Sequence, residues 1–239
     1  MGNAATLAVA PLTAGEIVSL FGNGLGPATA VSGQPANQRY PTTLGGTQVT
    51  FDGVTAPLLY VSDGQINAIV PWGITGNTTN ACVRTSAGGA NCVSMDVDSA
   101  APGLFQLSSG YAAAVNQDGT INSPENPAAA GSIISFYGTG LGLLSPAPAD
   151  GSIVAVPGPA LLDKVNVWFF PSPANTATAG ETVYAGPAPL EVAGLFQINV
   201  RIPLSPVTAV STAEIVVEIP NGATFVNPYL RVGVAIKAP

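Results

Sequence analysis

The chain carries no histidine among its 239 residues. That absence removes Ser-His-Asp and Cys-His catalysis, the His-Glu-x-x-His zinc motif and most transition-metal sites. Neither a Gly-x-Ser-x-Gly elbow nor a Ser-x-x-Lys motif is present. Thirteen carboxylates leave a glycosidase-type acid pair formally open. Several of them, however, sit in ordinary turn pairs: Asp52-Gly53, Asp63-Gly64, Asp118-Gly119 and Asp150-Gly151. Asn116, Asp118 and Asn122 have the spacing nearest to an oxygen-ligand Ca²⁺ loop, but the rest of such a loop is lacking and a hairpin turn is expected there. These residues therefore assign no catalytic, cofactor-binding or metal-binding group, and the chain is expected not to be an enzyme.

Other residues have suggestive types and spacing. Gly22-x-Gly24-x-Gly26 and Gly138-x-Gly140-x-Gly142 look like phosphate loops. A phosphate loop needs a following helix whose N-terminus faces the anion. Here Pro27 and a loop follow the first cluster, Leu-Leu-Ser-Pro follows the second, and no Lys is near, so each is expected to be a tight turn after a strand. Cys82 and Cys92 flank a Gly88-Gly89 turn. A hairpin centred near Ala87 sets the two opposite each other at a spacing that suits a disulfide, two buried free thiols being the alternative. Gln65-Ile66-Asn67 recurs as Gln197-Ile198-Asn199. In a strand the Gln and Asn of such a triplet share one face while the Ile points to the other. The amides then either satisfy backbone groups or face a sugar or peptide. Tyr60 and Tyr184 also recur and fit corner residues whose hydroxyl caps a loop. Trp72 and Trp168 hold no equivalent places; each is either a sugar-stacking platform or core packing.

The elements that must position these groups are strands, and they come twice. Gly15–Pro27 reads GEIVSLFGNGLGP and Gly131–Leu143 reads GSIISFYGTGLGL, with seven of thirteen positions identical. Pro11 and Pro127 stand four residues before each copy. Downstream, four residues separate Tyr60 from Gln65 and twelve separate Tyr184 from Gln197, and both segments then run through an apolar alternation to a proline. A third pair sets Ala81–Val97 against Ala213–Ala235, with turns at Gly88-Gly89 and Asn221-Gly222. Alternation and β-branching predict strands at Ile17–Phe21, Thr47–Phe51, Ala56–Val61, Asn67–Val70, Ala81–Thr85 and Asn91–Val97. In the second copy they fall at Ile133–Tyr137, Val165–Phe170, Thr182–Tyr184, Gln197–Arg201, Ala213–Ile219 and Tyr229–Val234. This pattern predicts an all-β fold of two tandem immunoglobulin-like β-sandwiches, residues 1–103 and 104–239. Tyr111–Asn122 is expected to form a hairpin turning at Asp118-Gly119, placed at the start of the second unit and packed on one or both modules.

The motifs GEIVSLFGNGLGP, PLLYVSDGQINAIVP, AAAVNQDGTINSPENPAAAGSIISFYGTGLG and AGLFQINVRIP resemble a repeat family of exported soil-bacterial proteins, the Solibacter uncharacterized C-terminal domain type. The resemblance runs from about Asn3 to Val234. It implies a modular β fold in a secreted or cell-surface setting and supplies no catalytic residues. The strand and turn at Gly15–Gly26 are also similar, more weakly, to immunoglobulin-like TIG modules.

Composition agrees with such a setting. Charged residues make up 8% of the chain, the apolar fraction is 47%, and 28 glycines and 22 prolines cut it into short pieces. A net charge of −7 with six scattered Lys and Arg disfavours nucleic acid and anionic membrane surfaces. No apolar run approaches a membrane span. The start, MGNAATLAVAPL, lacks the basic region of an export signal. The function expected is therefore a non-catalytic extracellular structural or adhesive module that meets a protein or glycan surface. Two alternatives stand beside it: a filament or surface-layer subunit that pairs strand edges with copies of itself, and a carbohydrate-binding accessory module. The mark of the last would be an exposed aromatic row drawn from Trp72, Trp168, Tyr40 and Tyr111.

Overall fold

A computed structural model describes residues 1–172, 176–204, 211–220 and 232–239. Among these residues there is no helix, and several antiparallel sheets carry the fold. The chain opens with β1 (Gly2–Asn3), β2 (Ile17–Phe21), β3 (Val31–Ser32), β4 (Gln48–Phe51) and β5 (Val54–Thr55). It continues through β6 (Leu58–Val61), β7 (Gln65–Ile69), β8 (Thr78–Arg84) and β9 (Asn91–Asp96). These make one sheet in the order β1-β2-β7-β6-β3 and a second in the order β5-β4-β8-β9. Strict alternation explains the layering. Val49 and Phe51 of β4 are buried while Gln48 and Thr50 are less so, and Ile66 and Ala68 of β7 point inward between Gln65 and Asn67. Buried apolar side chains between Leu12 and Met95 form one cluster.

From residue 103 onward come β10 (Gly103–Leu104), β11 (Ala114–Asn116), β12 (Ala128–Ala129), β13 (Ile133–Thr139), β14 (Leu144–Ser145) and β15 (Ala160–Leu161). Then follow β16 (Asn166–Pro171), β17 (Thr178–Pro187), β18 (Phe196–Arg201), β19 (Ser211–Glu218) and β20 (Val232–Lys237). Their main path is β10-β13-β18-β17-β16-β19-β20-β12, with β11 beside β13 and β14-β15 a separate pair. A second apolar cluster runs from Leu104 to Ile236.

The repeat in the sequence is a repeat in the topology. The orders β2-β7-β6 and β5-β4-β8-β9 recur as β13-β18-β17 and β17-β16-β19-β20. Even the irregularities match: the register shifts between Leu58 and Tyr60 in β6, and between Thr182 and Tyr184 in β17. The copies differ where the chain changes layer. In the first, β5 and β6 are separated by Ala56-Pro57, whereas β17 pairs with β16 at Thr178–Gly180 and with β18 from Glu181 onward as one strand. Gly180 allows this, because a Cβ there would lie 2.4 Å from Val200.

The expected hairpin at Tyr111–Asn122 is present: Val115 bridges Ile121, and Gly119 N donates to Asn116 O at 2.9 Å. It packs on β13 through β11 and on β20 through Tyr111 and Gly233. The expected turn at Asn221-Gly222 and the first part of the expected strand Tyr229–Val234 lie outside the described residues.

A third apolar cluster joins the halves. Ile17 and Ile69, on the outer side of the first sheet, pack with Val192, and Tyr40, Leu59, Ile153 and Leu195 flank them. Polar contacts reinforce this seam. The fully buried Thr139 hydroxyl accepts a hydrogen bond from Ile17 N at 2.7 Å and donates to Gly194 O at 2.8 Å. Tyr40 N donates to Gly151 O and Ile153 N to Gln38 O, both at 2.9 Å.

Candidate functional site

The repeated Gln and Asn side chains occupy matching places. In β7 the Gln65 Nε2 donates to Asn67 Oδ1 at 2.8 Å, and in β18 the Gln197 Nε2 donates to Asn199 Oδ1 at 2.7 Å. Each ladder lies on the outer face of its sheet, since Ile66 and Ile198 between them are fully buried. Cross-strand partners also match. Asn67 faces Ser19 and Tyr60, and Asn199 faces Ser135 and Tyr184. Gln65 faces Phe21, and Gln197 faces Tyr137. The Ser19 hydroxyl donates to Asn67 Oδ1 at 3.0 Å; among the described residues no such bond joins Ser135 to Asn199. Each ladder thus spends one amide donor and one amide acceptor internally. The chemistry it offers is neutral hydrogen bonding next to an aromatic ring, with no nucleophile or base.

The Tyr184 hydroxyl donates to the carbonyl of Pro187, the last residue of its own strand β17, at 2.6 Å, and burial pushes the phenol's pKa up. Trp168 lies on β16, where its Nε1 donates to Glu218 Oε2 at 2.8 Å. Asn166 Nδ2 donates to the same oxygen at 3.2 Å. The two bonds, the indole's foremost, hold the Glu218 carboxyl below its ordinary range.

Trp72 belongs to the seam. Its backbone N donates to Asp150 Oδ1 at 2.7 Å, and its ring rests on Gly15, where any Cβ would clash at 2.1 Å. Gly15 also has a φ of 75°, so both space and backbone require glycine there. The Trp72 Nε1 is buried without a hydrogen-bond partner and lines a cleft with Gly140, Leu141 and Phe196. Tyr40 packs in the seam cluster, and the Tyr111 hydroxyl is hydrogen-bonded to Thr212 at 2.9 Å. The four aromatics named as a possible sugar-binding row do not form one: Tyr40 and Trp72 lie at the seam, Trp168 on β16 beside Glu218, and Tyr111 beside Thr212.

Carboxylates do not converge either. Among the described residues no three His, Cys, Asp or Glu side chains are grouped for a metal ion. Asn122, fully buried, donates to Asn116 Oδ1 and Ala235 O and accepts from Ala235 N. It pins the hairpin to β20 with its oxygen occupied. Asp118 accepts from the Thr120 hydroxyl and N–H, which lower its pKa, as a turn residue does. The first glycine cluster is a bend after β2 with positive φ at Gly24; in the second, Gly138 lies within β13, and Gly140 and Gly142 follow the strand with positive φ.

Sequence reasoning did not single out Glu16. It is 1% exposed, and its Oε2 accepts from Thr13 N at 2.9 Å. Burial raises its pKa to about 8, against the lowering effect of hydrogen bonds from Thr13 and Asn3. The available signal was negative: Glu16 faces Ser132 in the aligned repeat, so the only charged residue of the motif has no counterpart.

Cys82 and Cys92 form a disulfide between directly opposed residues of β8 and β9. The turn between them uses Gly88 and Gly89, both with positive φ.

No protein-family model matches the chain, and no curated protein matches it. Among solved structures it is similar to the Bacteroides ovatus mixed-linkage glucan utilization locus SGBP-B in complex with a mixed-linkage heptasaccharide, at 10% identity and a TM-score of 0.35. The alignment covers 96% of this chain and 43% of that one, so the chain spans less than half of that structure's length.

Proposed function

We propose that this chain is a non-catalytic extracellular module of two tandem immunoglobulin-like sandwiches, residues 1–103 and 104–239, of the Solibacter-type repeat family. It serves structure or adhesion at a cell surface or in secreted form, displaying the loops and sheet faces of both units at a fixed spacing toward a protein or glycan surface. The observation that carries this reading is the seam. Apolar packing of Ile17, Ile69 and Val192, with the buried hydrogen bond from Ile17 N to the Thr139 hydroxyl, couples the halves far more firmly than a free linker would. The disulfide supports an oxidising compartment. The distinctive side chains are spent on turns, ladders and the seam, which supports the non-catalytic part.

The test is a panel of hydrolysis assays on glycan, ester and peptide substrates, run beside surface-binding measurements with the same purified chain. Retention on a glycan or protein surface without turnover is the expected result. Robust turnover of any substrate overturns it. A second reading, assembly through strand edges, is favoured by one observation: among the described residues β9 is an exposed edge strand, paired with β8 alone and, beyond its last residue, with Leu12.

A further inference from the structure

The two halves treat corresponding sheet edges differently. In the second half β20 is covered along its outer side. Ala128–Ala129 pair parallel to Ile236–Lys237, and further back Tyr111 makes a parallel bridge to Gly233. There Ala112 N donates to Gly233 O at 2.9 Å. In the first half β9 holds the corresponding place, beside β8. Leu12 follows Pro11 as Ala128 follows Pro127, and it makes the matching parallel bridge to Val97. Its N–H donates to Asp96 O, and Asp98 N donates to Leu12 O, both at 2.8 Å. With Val97 set against Ile236, Ser94 takes the place of Gly233. Among the described residues no backbone group covers the outer side of β9 at Ser94, and Asn91–Ser94 are all exposed.

The geometry of this bare stretch is fixed. In an antiparallel pair every second residue turns its N–H and C=O away from the partner. Asp96 O points at Leu12 and so away from β8, which turns the backbone groups of Ser94 and Cys92 outward as well. The short Cα–Cα distance of 4.0 Å at Cys82 and Cys92 marks the same alternation, because residues opposed without mutual hydrogen bonds lie closest. The Cys82–Cys92 disulfide also fastens this edge to β8. The usual protections of an edge, a Lys, a Pro or a bulge, are missing from Asn-Cys-Val-Ser-Met-Asp.

We propose that the outer edge of β9 at Cys92–Ser94 is a receptor for an extended polypeptide strand running parallel to it, of the uncharged small-and-aromatic kind that Tyr111-Ala112 supplies to β20. The occupant is a linker segment of this repeat type offered by another chain. The open edge continues the parallel pairing that Leu12 begins, and the covered twin of that edge shows which backbone donor fits. The inference deepens the strand-edge reading, but it does not require the chain to self-assemble, because each copy's own Tyr111 segment is already engaged on β20.

The test adds a labelled synthetic peptide, SSGYAAAVNQDG, which copies Ser108–Gly119, to the full-length oxidised chain. Fluorescence anisotropy reads binding, amide hydrogen exchange reads its place, and light scattering follows the chain alone. The expected results are saturable one-to-one binding, exchange at Ser94 and Cys92 slowed at least several-fold, and weaker binding after the disulfide is reduced. Ser94→Pro in the protein should abolish binding, since that N–H points outward and the β8 pairing keeps its bonds. A peptide with proline in place of Ala112 should also fail, which keeps the test independent of whether the protein variant folds. Absence of binding at millimolar peptide, protection confined to β20, or unchanged binding of the proline peptide overturns the proposal. A chain that stays monomeric yet takes up the peptide refutes self-assembly and leaves the receptor edge standing.

Discussion

At the scale of single residues, the fold hides its most unusual group at the seam end of β2. Glu16 holds a proton in the folded state up to about pH 8, whereas an exposed glutamate loses it near its ordinary value of 4.5. Between those values the native chain binds more protons than the unfolded one, so stability falls as pH rises through that window. The contribution is fully present below about pH 4.5 and gone above about 8. Each pH unit inside the window is worth up to about 1.4 kcal/mol. Glu16→Gln keeps the acceptor for Thr13 N and removes the titration. Its denaturation midpoint should vary less between pH 5 and 8 than the wild type's, with the larger gain at the alkaline end. A second residue-scale expectation compares the ladders. Asn67→Ala strands the buried Ser19 hydroxyl as well as the Gln65 amide and should cost about 1–3 kcal/mol. Asn199→Ala, with no serine bonded to it, should cost less in the same urea titration. That Gln and Asn would share a face was legible from the triplet's period. Their serine partners were not singled out, although an identical Ser19 and Ser135 in the repeated motif was the available clue.

Among the elements, long strands were legible and short ones were not. Alternation placed β4, β7, β13, β16 and β18 within a few residues, because one face of each is buried and the pattern records it. Two-residue strands such as β3, β5 and β10 carry no period; their partners make them strands. β17 was expected only at Thr182–Tyr184, yet it spans Thr178–Pro187. The shift before Tyr184 breaks the alternation, and Gly180 contributes no side chain to it. The register of the β8–β9 hairpin was legible, since two cysteines about a Gly-Gly turn fix it, although β8 begins at Thr78 rather than at the expected Ala81. Replacing both cysteines with serine should lower stability by about 2–3 kcal/mol, the chain-entropy value for so short a loop. Thermal melts of the variant and the oxidised wild type check this.

Over the whole molecule, the repeat was visible because its turn glycines and core positions recur, but the seam was not. Its contacts join residues of one unit to non-equivalent residues of the other, such as Trp72 N to Asp150 and Ile17 N to Thr139. Aligned copies report what the two units share, and a seam between unlike surfaces is what they do not share. Thr139 is its hinge pin, both donor and acceptor in full burial. Thr139→Val removes both bonds and leaves Ile17 N buried without this partner, at about 1–3 kcal/mol. The wild type should unfold in one calorimetric transition. The variant should show a lower and broader transition, or two, as the halves melt independently.

The position of the disulfide also bears on how the chain matures. With its cysteines ten positions apart, the bridge spans one hairpin only. Loops of that length close in about 10–100 ns, so the sulfurs meet long before distant strands assemble. Having just two cysteines, a single polypeptide has one oxidised product and no scrambled isomers. The sole competing pairing joins separate molecules, so dilution during oxidative renaturation should suppress every incorrectly bonded species.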